Sequence, residues 1–396
     1  MAGVTLPDAA WRHRAGLDRL IDALDARSGG ARWVGGAVRD TLLGLAVADM
    51  DLATVFPPDE VVRRLETAGI KAIPTGIAHG TVTAVSSGTV VEVTTLRRDV
   101  ATDGRHATVE HTGDWREDAA RRDFTMNALY ADPLTGAIFD WFGGLDDLRA
   151  GRVRFIGDAL QRIAEDHLRI LRFFRFHARF GDVVDADGLA ACVARANDLM
   201  ALSRERVAAE LLKLLVARAA VPVVALMGER GILRPVLPEI DRAGVARLRA
   251  LAAREAEAGI APDAIRRLAA LVAADAAEGV GARLKLSNAD RKRLEQATLG
   301  PGDEGARALA YRVGVTTATD RLLLAGADVA PLAGWTRPAL PLGGGALVAR
   351  GLAKGPDVAR TLRAVESRWI AEGFPDAARV DALADEAVAQ ALRDIR

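Results

Sequence analysis

The chain reads as an α+β protein in which a small mixed-sheet head is followed by an all-helical neck, body and tail. Short β-rich segments alternate with helical ones up to about residue 145. Beyond about Ile156, Ala, Leu, Val and Arg recur at helical spacing with almost no strand signal. A length of 396 residues adds a third constraint, since it suits about two to three domains and is ample to bury a core. Turn residues cluster at Gly143-Gly144, at Ala219 to Pro222 and at Gly300-Pro301-Gly302. The expected divisions are therefore 1–145, 146–218, 219–300 and 301–396.

Within the head, residues 11–27 have helical spacing and are stopped by Ser28-Gly29-Gly30. Ala31 to Val34 reads as a short strand that runs into Gly35-Gly36, and Asp40 to Gly44 continues as helix. Asp49 to Val55 reads as a strand, and Pro57 to Ala68 as a helix with proline in its first turn. Thr81 to Val85 and Thr89 to Leu96 form a hairpin around Ser86-Ser87-Gly88. Phe124 to Leu129 is helix-like. In the C-terminal part, Pro331 to Gly345 is expected to be a loop, with a last helical stretch from about Gly355 to Glu372. Gly343-Gly344-Gly345 lacks the Lys-Ser/Thr of a P-loop and reads as a turn.

Half of the residues are apolar, 27% are charged and the formal net charge is zero. A polyanionic partner would have to be held by local basic patches, because the whole molecule offers no general attraction. One such patch lies at 149–180, where eight arginines face three acids. Cys192 is the only cysteine, which excludes an internal disulfide and a cysteine zinc cluster and suits a cytoplasmic location. Neither a signal-peptide-like stretch nor a run of about 20 apolar residues is found, so no membrane association is expected.

The most informative residues are Asp49 and Asp51. In an extended strand, side chains two apart share a face, so Asp-Met-Asp aims two carboxylates at one point while Met50 turns inward. A lone Asp-x-Asp is usually solvated loop. Here it follows Gly35-Gly36, where the missing Cβ atoms let backbone approach a phosphate, and Arg39, which can clamp phosphate oxygens. Mg²⁺ favours a few carboxylate oxygens together with substrate phosphates, so a nucleoside triphosphate is the natural third party. Glu92, opposite Val91 and Val93 on its strand, either completes a three-carboxylate site or simply points to water.

Four ordered segments carry a resemblance. They are Gly35 to Gly44 with Asp49-Met50-Asp51-Leu52, Glu92 to Arg97, Arg121-Arg122-Asp123-Phe124-Thr125-Met126-Asn127-Ala128-Leu129, and Glu165 to Phe176. Together they resemble the bacterial CCA-adding enzyme and poly(A) polymerase family, the class II template-independent nucleotidyltransferases, over about residues 32 to 180. The resemblance implies a catalytic head at 1–145, a base-recognising neck at 146–218, a helical body at 219–300 and an RNA-binding tail at 301–396. It implies transfer of C and A from CTP and ATP to the 3′ end of tRNA with release of pyrophosphate and Mg²⁺ as cofactor. No stable protein partner is inferred. Poly(A) polymerase or an A-adding enzyme is the alternative, and an inactive RNA-binding scaffold is the alternative of another class.

By the same resemblance Asp49, Asp51 and Glu92 are catalytic, with Asp49 and Asp51 holding the metal. Gly36, Arg39 and Arg122 bind the nucleotide, while Asn127 either meets the ribose or packs. In the fourth segment, Asp166 and Arg169 stand i and i+3 on a helix, with Arg172 and Arg175 continuing the row. A carboxylate accepts and a guanidinium donates. Such a pair therefore fits the pairing edges of cytosine and adenine and rejects uracil and guanine. The bland reading is an intrahelical ion pair worth about 0.2 to 0.5 kcal/mol. Arg172 and Arg175 would serve the triphosphate or hold the pair in place. Arg105 and His106 sit where the family has a loop that helps switch from C to A addition. Leu202 to Arg206 and Glu210 to Lys213 resemble the family's neck, and Pro341-Leu342 with Arg350 to Pro356 its tail. Ala346 stands there in place of a frequent aspartate, which weakens the case for tail contact with tRNA.

Overall fold

The computed structural model describes residues 4–76, 80–102 and 107–394. Arg105 and His106 lie outside the described residues. The chain divides into two compact units, Met1–Pro238 and Glu239–Arg396. The expected head and neck both fall within the first.

The first unit is built on a sheet of seven strands in the order β3-β4-β5-β2-β1-β8-β9. These are β1 (Ala31–Val34), β2 (Asp51–Thr54), β3 (Lys71–Gly76), β4 (Thr81–Ser86), β5 (Thr89–Thr95), β8 (Tyr130–Ala131) and β9 (Ile138–Phe139). A separate pair, β6 (Arg97–Thr102) and β7 (Ala107–His111), forms its own ribbon. All neighbours in the large sheet are antiparallel except β2 and β5. A parallel pair needs a crossover, and helix α3 with the β3–β4 hairpin supplies it. Period-2 burial is clear in β5, where Val91 and Val93 are buried and Glu92 is exposed, as the alternation predicts.

Helices of this unit are α1 (Leu17–Ala23), α2 (Gly36–Leu42), α3 (Pro58–Thr67), α4 (Trp115–Ala120), α5 (Gly144–Arg149), α6 (Ala159–Glu165), α7 (Arg169–Phe180), α8 (Ala186–Ala194), α9 (Arg204–Leu215) and α10 (Ala220–Glu229). Three differ from expectation. The helix after Gly-Gly starts at Gly36 rather than Asp40, because Gly35 takes φ +66° and turns the chain at once. Residues 11–27 break at Gly16, also at positive φ, leaving α1 between two 3-10 turns. Only Thr125–Asn127 of the expected 124–129 helix is helical, a single 3-10 turn that leads into β8.

The second unit is all helical: α11 (Arg242–Glu257), α12 (Ala264–Leu271), α13 (Ala277–Arg283), α14 (Asn288–Ala297), α15 (Ala306–Val313), α16 (Val315–Ala325), α17 (Gly344–Ala349), α18 (Pro356–Ala371) and α19 (Ala377–Asp394). Two of these depart from the sequence reading. Gly344 and Gly345 open α17 rather than end a loop, because Leu347 docks with Leu352, Ala384 and Val388. The eighteen-residue α19 lies wholly beyond the expected last helix. Among the described residues no helix is long and apolar enough to cross a membrane.

Candidate active site

Asp51 opens β2 and stands directly beside Glu92 of β5 in the parallel register. Register partners on adjacent strands point to the same face, so the two carboxylates share a side of the sheet. The Glu92 amide donates to the Met50 carbonyl at 2.9 Å and ties the preceding bend to β5. Asp49 is exposed in that bend, two residues before the strand begins rather than within it. Met50 is buried, as the Asp-Met-Asp pattern predicts. Asp49 and Glu92 line a cavity of about 430 Å³ with Arg14, Ala48, Met50, Gly88, Thr89 and Val90.

Electrostatics show how tightly the acids crowd. Burial, with the charge of Glu92 and then Asp49 added, pushes the Asp51 carboxyl up to about 6 against the pull of Arg122 and Arg39. A divalent cation bound beside these carboxylates would favour their charged form against that burial and crowding. The described residues hold no group of three His, Cys, Asp or Glu side chains set to hold a metal ion. What the chain offers is thus a carboxylate pair with a third acid alongside, not a closed protein cage. Such an open set fits a hard divalent cation that takes its remaining oxygens from phosphates and water.

Arg122 follows α4 on the Arg121-Arg122-Asp123 turn. Its Nε donates to the Tyr130 hydroxyl at 3.0 Å and its Nη2 to Asp118 at 3.2 Å. Its Nη1 lies 3.5 Å from where a Cβ on Gly35 would stand, so the Gly-Gly turn and Arg122 face each other. Gly36, the first residue of α2, is half-buried beside them.

Arg39 departs from the expected phosphate clamp. It is only 6% exposed, donates from Nε to Asp40 at 2.8 Å and from Nη1 to Asn127 at 2.5 Å, and lies over the rings of Phe176 and Phe180. Asn127 in turn donates to Asp123 at 3.0 Å, so of its two sequence readings the packing one describes its contacts.

The basic segment 165–180 also differs from the expected single row. Asp166 is not on a helix with Arg169. Its backbone is extended at φ −150°, ψ 105°, between α6 and α7. Its carboxylate caps the Leu168 amide at 3.1 Å and takes Arg206 of α9 across both oxygens at 3.0 Å. No i,i+3 pair forms, because α7 begins only at Arg169. The Arg169 guanidinium is instead fixed by Glu165 at 2.6 Å and by the carbonyls of Arg162 at 2.8 Å and Arg121 at 3.0 Å.

Arg172 and Arg175 are likewise committed. Arg172 grips Asp123 at 2.8 and 2.5 Å, and Arg175 donates to Glu210 of α9 at 2.5 Å. The turn carrying Arg122 is consequently anchored on both flanks by α7, through the Arg121 carbonyl and the Asp123 carboxylate. Sequence reasoning gave no roles to Arg206, Glu210, Asp118 or Tyr130. Arg206 and Glu210 fall in the segment that resembles the family's neck, but their partners lie 40 and 35 residues away.

Residues 31–154 match the family described as the poly A polymerase head domain, and residues 184–243 the probable RNA and SrmB-binding site of polymerase A. The chain is 45% identical over 205 residues to the mitochondrial CCA tRNA nucleotidyltransferase 1 of Homo sapiens, covering 51% of this chain and 47% of that protein. It is 39% identical over 227 residues to the CCA-adding enzyme of Geobacillus thermodenitrificans, covering 57% and 55%. The chain spans about half the length of the curated relatives it matches.

Among solved structures it is similar to the Bacillus stearothermophilus CCA-adding enzyme in complex with CTP. The identity is 28% and the TM-score 0.71, over 91% of this chain and 94% of that one. It also shares the fold of the Thermotoga maritima CCA-adding enzyme complexed with tRNA, at 18% identity and TM-score 0.68 over 97% and 99%.

Proposed function

We propose that this chain, whose residues 31–154 match the poly A polymerase head domain, belongs to the CCA-adding enzyme and poly(A) polymerase family and adds C and A from CTP and ATP to the 3′ end of tRNA without a template. Asp51 beside Glu92, with Arg122 facing Gly35 nearby, is the observation that carries the reading. It sets negative oxygens and a phosphate-binding cation within one nucleotide's reach. The relatives named CCA-adding enzyme and CCA tRNA nucleotidyltransferase support the same activity.

In this reading Asp49 and Asp51 hold Mg²⁺, and Glu92 adds to the negative field that attracts it. The bound ion would activate the RNA 3′-hydroxyl and neutralise the triphosphate. The chain's own residues orient the reactants. Arg122 and the Gly35-Gly36 backbone receive the triphosphate, so that the hydroxyl attacks the α-phosphorus in line and pyrophosphate departs. Arg39 acts indirectly by fixing α2 to the Thr125–Asn127 turn.

Asp166 and Arg169 present the base-reading edge. A carboxylate has about four lone-pair sites, and Arg206 with the Leu168 amide leaves room for the amino group of cytosine or adenine. Arg169 has five N–H donors, of which Glu165, Arg162 and Arg121 take three. Both groups are held from outside, so they select by fixed geometry. Arg172 and Arg175 support that edge rather than touch phosphate. The helical body and tail at 219–300 and 301–396 supply RNA contacts, and the site of action is the cytoplasm.

A tRNA transcript ending at the discriminator base tests the proposal when incubated with CTP, with ATP and with both. Extension by three nucleotides with both substrates is expected. Long A tails on generic RNA with ATP alone would instead make it a poly(A) polymerase, and no extension at all would leave an RNA-binding scaffold.

A further inference from the structure

Asp118 of α4 is 1% exposed, and burial alone would raise its carboxyl. Arg122 and Arg121 outweigh that and hold it down at about 2. It accepts from the Arg97 amide at 3.1 Å, from Arg121 Nε at 2.9 Å and from Arg122 Nη2 at 3.2 Å. A short hydrogen bond from the Tyr130 hydroxyl completes the set. A carboxylate offers about four acceptor positions, and here all four are used. Tyr130 is also fully buried, its ring edge-on to Trp115 and Trp141, so its oxygen is held in one place between Arg122 and Asp118.

The consequence falls on Arg122. Two of its three nitrogens are fixed in the plane defined by Asp118 and Tyr130, and the third faces Gly35. Tyr130 pairs with Val34 in the β8–β1 ladder, one residue before Gly35. One rigid strand pair therefore carries both the Gly-Gly turn and the hydroxyl that aims the guanidinium at it. We propose that Tyr130 and Asp118 are positioning residues that orient Arg122 toward the triphosphate, and that they act on nucleotide affinity only through Arg122. The proposal rests on the nucleotidyltransferase reading above.

Tyr130→Phe tests it, because it removes one oxygen and keeps the ring among Trp115, Trp141 and Arg122. With CTP as the probe in the full chain, the Michaelis constant for CTP should rise about tenfold, the scale of one charge-assisted hydrogen bond. The Michaelis constant for tRNA should stay at the wild-type value. In an Arg122→Ala background the same substitution should have no further effect on CTP, since its route is already cut.

A merely structural hydroxyl would give the opposite pattern. Unchanged CTP affinity in Y130F, equal losses for CTP and tRNA, or an additive loss on top of R122A would each overturn the proposal. Should Y130F not fold, Asp118→Asn, which keeps an acceptor for the Arg97 amide, is judged by the same three readings. A wild-type chain that incorporates no nucleotide fails at the earlier reading, whereas an active wild type with an unaffected Y130F fails only here.

Discussion

In the C-terminal unit, Glu255 of α11 and Asp320 of α16 are almost wholly buried, and each meets two guanidinium groups. Arg266 and Arg267 donate to Glu255 at 2.9 and 2.8 Å, while Arg266 and Arg293 donate to Asp320 at 3.0 and 2.8 Å. In the first unit, Asp49, Asp51 and Glu92 stand together, and among the described residues none of them forms an ion pair. The two assemblies use the same residue types and differ in closure. Burying a charge is tolerable only when it is paired, so the closed network is complete within the chain. The open one has no such partner among the described residues, and burial with the charges of Glu92 and Asp49 raises the proton affinity of Asp51; in the proposed reading a divalent cation completes it.

Replacing either member of the open pair should have the largest effect. Asp49→Ala or Asp51→Ala is expected to lower nucleotide incorporation on the order of a thousandfold or more, while binding of tRNA in a gel-shift titration stays near wild type. Turnover that survives either change would mean that these carboxylates do not hold the ion. In the closed network the corresponding change should act on folding. Asp320→Ala leaves Arg266 and Arg293 facing an empty position and should destabilise the C-terminal unit by about 3 to 5 kcal/mol. An unchanged thermal transition would show that the network is not stabilising.

This contrast also marks what the sequence could and could not disclose. The open site was legible because its signals are local. Asp51 and Glu92 each stand in a short local pattern, Asp49-Met50-Asp51 and the Val91-Glu92-Val93 alternation, and the sheet register sets those two side by side. The closed network joins residues 11 to 54 apart along the chain, and nothing local marks Glu255 as the partner of Arg266 and Arg267. The same holds for the phosphate-clamping reading of Arg39 and for the choice between the two readings of Arg175. An arginine near a phosphate motif looks available until its acid, Asp40 or Glu210, is placed beside it in space. Asp166 was set on a helix because its neighbours have helical spacing, yet the helix starts three residues later. Two-residue strands such as β8 and β9 carry too few side chains to show a period at all.

A middle case is Asp166, whose ion pair with Arg206 leaves acceptor capacity open. Asp166→Ala should weaken discrimination of CTP and ATP against UTP and GTP by about tenfold to a hundredfold, the scale of a hydrogen bond to a charged group. Incorporation assays with each nucleotide separately measure it. Unaltered selectivity would place Asp166 with the closed, purely structural pairs. Arg206→Ala is expected to give a smaller change of the same kind, since it frees the carboxylate without removing it.

The finest difference between the two assemblies is their response to pH in the absence of ligands. Asp51 has its folded value raised to about 6 from an ordinary 3.8. Folding therefore favours the protonated form, and the sign follows directly. Below about pH 3 the group is neutral in both states and costs nothing. Between about 3 and 6 the unfolded chain releases its proton first, and a destabilisation grows that is complete above the folded value. Asp51→Asn removes this cost. With chelator present, it should raise the stability of the first unit by up to about 3 kcal/mol at pH 8 and leave it nearly unchanged at pH 3. Adding Mg²⁺ should reverse the order at pH 8, because only the wild-type carboxylate gains from the ion. A variant that melts like the wild type at both pH values would mean that Asp51 is already compensated within the chain, and the distinction between an open and a closed cluster would fall.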